Sequence, residues 1–138
     1  MKRLLLIFAA AAFVASPSSA NSYASAGAPS AFQCRGTDRT IPKQIRFARG
    51  RTTAVIKTTV RLCTSHEYRL RASQGQTMSI HLAAGKRTSF TLQTPSGDTV
   101  PDADGVKDWS GELQDNGDYT IVVGTDATAA YTLEVTIR

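Results

Sequence analysis

The chain has 138 residues, 41% of them hydrophobic, and a formal net charge of +5 at pH 7. That length supports one hydrophobic core and excludes two full domains. The modest charge argues against nucleic-acid binding.

In chain order, the first element is an export signal. Lys2 and Arg3 precede an apolar run at residues 4–14, as long as a secretory core and too short to cross a bilayer as a helix of about 20 residues. Ser18 and Ala20 permit cleavage after Ala20, and Ala24-Ser25-Ala26 offers a second site. The signal peptide is therefore set at 1–20, with cleavage as late as residue 26 left open. Ala31-Phe32-Gln33-Cys34 lacks the small residues of a lipoprotein box, so a periplasmic or secreted soluble protein is expected. Residues 21–31, rich in Ser, Ala, Gly and Pro, read as a flexible tail. A single domain is expected over 32–138, with no membrane span.

The strands follow. Ile45 and Phe47 alternate with Arg46 and Ala48, and Arg49-Gly50-Arg51 turns the chain into the β-branched run Thr53-Ala54-Val55-Ile56-Lys57, which predicts a first hairpin. Beyond a polar loop at Cys63 to Ser65, the inward sets are Tyr68, Leu70, Ala72 and then Met78, Ile80, Leu82. Phe90 and Leu92 carry the next strand, which Pro95-Ser96-Gly97-Asp98 closes with three strong turn formers. Trp109 to Leu113, Tyr119 to Gly124 and Ala130 to Ile137 complete the count. In the last, Tyr131, Leu133, Val135 and Ile137 point one way and Thr132, Glu134 and Thr136 the other, the period of a strand with one buried face. The fold class is all-β: an antiparallel β-sandwich of about eight short strands.

Only Cys34 and Cys63 are present. In an oxidising compartment they are expected to form one disulfide, whose loop closure contributes roughly 3 to 4 kcal/mol in the chain-entropy model. Without CxxC spacing or neighbouring ligands, a metal or redox pair is the weaker reading.

Charge is unevenly spread. From Arg35 to Arg87 the only acidic residues are Asp38 and Glu67, whereas from Thr88 onward the only basic ones are Lys107 and Arg138. Opposite halves pairing across a solvated sandwich is one explanation. A basic patch for an acidic partner, built from outward residues such as Arg46, Arg69 and Arg71, is the other. No catalytic, cofactor-binding or metal-binding residues are assigned. Ser65-His66-Glu67 cannot form a catalytic line on a strand, since neighbours face opposite ways. His81 falls on a polar face. Asp102, Asp104, Asp108 and Glu112 do not match a calcium loop of the EF-hand type, and read as an exposed acidic loop. Trp109 is expected in the core beside Gly111 and Leu113, with ligand stacking as the alternative.

Ile45-Arg46-Phe47 with Gly50, Val55-Ile56-Lys57, Tyr68-Arg69-Leu70-Arg71-Ala72, Gly75-Gln76-Thr77-Met78, Trp109-Ser110-Gly111-Glu112-Leu113, Gly117-Asp118-Tyr119-Thr120-Ile121-Val122-Val123 and Ala130-Tyr131-Thr132-Leu133-Glu134-Val135 occur in an order that resembles bacterial g-type lysozyme inhibitors. That family shares its β-sandwich with the wider group of pre-peptidase C-terminal-like domains. The resemblance covers roughly residues 44 to 138. It implies a non-enzymatic, exported inhibitor with a lysozyme as protein partner; the alternative is an accessory envelope module of the pre-peptidase C-terminal type, without inhibitory activity. In the inhibitors a longer, Arg-rich loop joins the last two strands and helps grip the lysozyme, whereas here Gly124 to Ala130 holds no arginine. The loop Val60 to His66 instead holds a cation, Arg61, whose charge suits a cleft lined by catalytic carboxylates. Arg61, His66, Arg69 and Arg71 are the partner-binding residues assigned.

Overall fold

The computed structural model describes residues 39–138. Their strands are β1 (Arg39–Gln44), β2 (Thr53–Val60), β3 (Thr64–Ala72), β4 (Thr77–Ala84), β5 (Thr88–Gln93), β6 (Asp108–Glu112), β7 (Gly117–Thr125) and β8 (Ala129–Ile137). They form two four-stranded sheets, in the orders β1-β3-β7-β5 and β2-β8-β4-β6. The expected signal peptide, tail and Cys34 lie outside the described residues. Cys63 is not a free thiol.

The inward sets expected from alternation are buried: Tyr68, Leu70 and Ala72 on β3, Met78, Ile80 and Leu82 on β4, Phe90 and Leu92 on β5, and Tyr131, Leu133, Val135 and Ile137 on β8. With Tyr119, Ile121 and Val123 from β7 they fill the space between the layers. The period of two along each strand presents one apolar face, and a second sheet is what covers it.

Two expectations fail at the front of the domain. The first strand is Arg39–Gln44, ahead of Ile45, and it pairs parallel with β3 rather than antiparallel with β2. The first hairpin does not exist: β1 and β2 belong to different sheets. The reason is visible at the connection. The ladder with β3 runs on through the Ile45 amide to the Arg69 carbonyl at 2.9 Å, and Ile45 is buried while Phe47 packs half-buried against the core. The chain then turns with Arg51 N–H donating to the Ala48 carbonyl at 2.8 Å and arches into the other layer. β2 arches back at residues 61–63, so β1 and β3 run in the same direction. Pro42 has no N–H to give, which suits the edge position of β1.

The far edge of that sheet is covered by the chain between β5 and β6. Val100 N–H donates to Leu92 at 2.8 Å, Leu92 N–H to Ala103 at 2.9 Å, and Phe90 and Val106 exchange bonds of 2.8 and 3.0 Å. At the start of β7 the Tyr119 hydroxyl donates to the Asp115 carbonyl (3.2 Å) and accepts from its amide (3.1 Å). This is a tyrosine corner, and it fixes how β6 leads into β7.

Candidate functional site

One end of the sandwich gathers three connections. β2 stops at the fully buried Val60, and Arg61-Leu62-Cys63-Thr64 form a tight turn. Thr64 N–H donates to the Arg61 carbonyl at 3.1 Å, and the Thr64 hydroxyl both donates to that carbonyl (2.6 Å) and accepts from the Arg61 amide (3.1 Å). Cys63 holds a φ of 61°, uncommon for a residue with a side chain. Its carbonyl accepts from the Arg39 amide at 3.1 Å.

The turn is tied to its neighbours. Leu62 N–H donates to the Thr128 hydroxyl at 3.1 Å, reaching the β7–β8 connection. Asp126 N–H in that connection donates to the Arg87 carbonyl at 3.1 Å, and the Thr88 and Thr125 hydroxyls share a 3.1 Å bond. The loops β2–β3, β4–β5 and β7–β8 therefore form one hydrogen-bonded rim. Arg39, Arg61, Lys86 and Arg87 on it are exposed, and among the described residues none of them has an ion-pair partner. The β7–β8 connection that lacks arginine is thus flanked by cations from two other loops.

Directly behind the rim, polar side chains join the sheets inside the core. His66 is only 4% exposed; its Nδ1 and the Tyr131 hydroxyl are 2.6 Å apart, and the Tyr131 and Tyr68 hydroxyls also 2.6 Å. The Lys43 ammonium lies 5.7 Å from the Tyr68 ring centroid, within cation–π range. Burial, reinforced by the Lys43 charge, lowers the His66 pKa and keeps the ring neutral. Burial and the shared hydrogen bond push the Tyr131 hydroxyl up, and burial does the same to Tyr68. β3 and β8 are pinned together where the rim begins.

The four assigned partner-binding residues therefore fall in three places. Arg61 stands on the rim. Arg69 and Arg71 lie on the outer face of β3, about 17 and 23 Å from the rim by strand rise. Arg69 is committed to Glu67 (2.6 Å), and Arg71 stands opposite Asp118, beside a groove that Pro42, Lys43 and Gln44 complete. His66 points inward; the strand period that buries Tyr68 and Leu70 buries it too. Lys86 and Arg87 also stand on the rim, a placement that sequence reasoning does not give, because long-range bonds from Asp126 to Arg87 and between Thr125 and Thr88 bring their turn there. Among the described residues no group of three or more His, Cys, Asp or Glu is placed to hold a metal ion: Asp104 accepts from Thr91 at 2.8 Å, while Asp108 pairs with His81. Trp109 is partly buried against the core, its ring lying over Gly111.

This arrangement of eight strands is the fold of the periplasmic lysozyme inhibitors. The solved inhibitor of g-type lysozyme from Aeromonas hydrophila superposes with a TM-score of 0.66 at 24% identity, covering 74% of this chain and 100% of its own. A mutant of the corresponding inhibitor from Escherichia coli (TM-score 0.56, 18% identity) covers 72% of this chain and 99% of its own. The inhibitor from Salmonella Typhimurium (0.55, 18%) covers 74% and 100%. No protein-family model and no curated protein matches the sequence.

Proposed function

We propose that this chain is an exported, non-enzymatic inhibitor of a g-type lysozyme, and that the rim of Arg39, Arg61, Lys86 and Arg87 is the surface that meets the enzyme. The observation that carries the reading is the match over the full length of the Aeromonas hydrophila inhibitor. The charge of the rim supports it, because a muramidase cleft carries catalytic carboxylates. Complementary charge raises the association rate and selects the partner more than it adds affinity. In this reading Arg61 and Arg87 take the part that an arginine-rich β7–β8 loop plays elsewhere, Arg69 and Arg71 form a secondary basic strip, and His66 supports the rim from within. Export through the signal at residues 1–20, cleavage after Ala20 or Ala26, and a Cys34–Cys63 disulfide anchoring the Cys63 turn belong to the same proposal.

The test is titration of the purified mature protein into g-type, c-type and i-type lysozyme assays on cell-wall substrate. Inhibition of the g-type enzyme at micromolar concentration or below is expected. None at that concentration overturns the reading.

A further inference from the structure

The outer face of the β2-β8-β4-β6 sheet takes no part in the rim, and its side chains fall into cross-strand rows. Thr53, Thr136, Ser79 and Ser110 stand in register across all four strands. Their hydroxyls pair two by two, Thr53 with Thr136 at 2.8 Å and Ser79 with Ser110 at 2.8 Å. The next row is Val55, Glu134, His81 and Asp108, with His81 hydrogen-bonded to Asp108. Val55 is 53% exposed, and Glu134, His81 and Asp108 are also exposed. Between the rows lies a shallow groove of about 370 Å³, lined by the outward Ser79, His81, Asp108, Ser110, Glu134 and Thr136 and, at its floor, by Ile80 and the partly buried Trp109.

We propose that this face binds an extended, β-linked glycan chain. Four hydroxyls spaced by the strand separation of about 4.8 Å form a straight ladder of donors and acceptors, with a step close to that of one pyranose unit in such a chain. Each hydroxyl pair satisfies itself once and keeps further capacity toward solvent. The two carboxylates add charge-assisted acceptors for sugar hydroxyls, and the exposed Val55 offers an apolar contact for the C–H face of a ring. Other occupants fit worse. Asp108 and Glu134 at the groove repel phosphate, with Lys57 the one cation of β2 on this face, which disfavours a nucleic acid or an anionic headgroup. The outward side chains include no Arg or Tyr anchor of the kind on which protein interfaces depend, and Trp109 lines the groove only from its partly buried position against the core.

The test titrates chitohexaose, cellohexaose and maltohexaose into the isotopically labelled protein, followed by amide NMR and calorimetry. Chitohexaose or cellohexaose is expected to shift the amides of Ser79, His81, Ser110 and Thr136, and the curved α-linked maltohexaose to leave them unmoved. Ser79→Val and Ser110→Val, both outward and compatible with a strand, are expected to weaken binding at least about tenfold, or 1.4 kcal/mol, with the rest of the spectrum retained. Silence from both β-linked sugars at millimolar concentration, shifts confined to the rim, or equal binding of maltohexaose overturns the proposal. Since the mapping uses the native protein, it does not depend on the variants folding, and lysozyme inhibition is a separate readout.

Discussion

Trp109 and Gly111 show how one missing side chain sets a packing arrangement. A Cβ at Gly111 would sit 2.6 Å from the Trp109 ring, so the indole can lie flat over the strand only because position 111 is glycine. Gly111→Ala is expected to cost about 1 to 3 kcal/mol, the range of forced overpacking. The same change in a Trp109→Leu background should cost far less, and chemical denaturation of the four proteins measures the coupling. The Tyr131 hydroxyl is a second such residue, because it is the shared partner of His66 and Tyr68. Tyr131→Phe removes both bonds, and a loss of about 2 to 3 kcal/mol follows from leaving buried polar groups unmatched. pH acts on the same cluster. The His66 pKa is lowered by folding, so at mildly acidic pH the unfolded chain binds more protons than the folded one. The stability this residue contributes is complete above the unfolded value of about 6.5 and is lost as pH falls from there toward the folded value. His66→Gln, which keeps a polar partner for Tyr131 but does not titrate, should flatten that acid limb in thermal melts at pH 5 to 8. An unchanged slope would assign the acid sensitivity elsewhere.

At the scale of elements, what the sequence reveals and what it hides divide along a physical line. Strand periodicity is a local signal: Tyr68, Leu70 and Ala72, or Tyr131 to Ile137, declare their buried faces without reference to other strands. Which strand lies beside which is not local. The Arg49-Gly50-Arg51 segment carries the composition of a hairpin turn, yet the same turn serves an arch between layers, and Ile45 and Phe47 enter the core on its near side. The rim is hidden for the same reason, since Leu62 meets Thr128 across 66 positions of sequence. Asp115-Asn116-Gly117-Asp118 has the composition of a turn before Tyr119, yet Gly117 and Asp118 already belong to β7, and the corner hydrogen bonds add what composition omits. Tyr119→Phe deletes both bonds to Asp115 while keeping the buried ring, and a loss of about 1 to 1.5 kcal/mol is expected. Because the corner orients β7, amide exchange should rise first in residues 114–118 and not along β8.

For the whole molecule the open question is where a partner docks, and the distribution of charge gives a way to decide it. The basic first half and acidic second half do not cancel through ion pairs: among the described residues the Lys and Arg side chains form one salt bridge, Arg69–Glu67, which lies within the first half, while His81 and Asp108 share a hydrogen bond across the two halves. The rim and the outer face of β3 are therefore separate sources of positive field, and reversing charge on one leaves the other intact. Long-range attraction governs the rate at which charged proteins meet and fades as salt shortens the screening length to about 8 Å at physiological ionic strength. If the rim faces the lysozyme, Arg61→Glu and Arg87→Glu should each slow association by about tenfold at low salt, as steering of this kind allows. The deficit should shrink as salt is raised, and dissociation should change less. Arg71→Glu, opposite Asp118 on the distant face, should alter the rate much less at any salt. Stopped-flow association with a g-type lysozyme across a salt series measures all three. A larger effect from Arg71 than from Arg61 and Arg87 would move the interface from the rim to the outer face of β3, where the strands would present a flat surface in place of three tied loops.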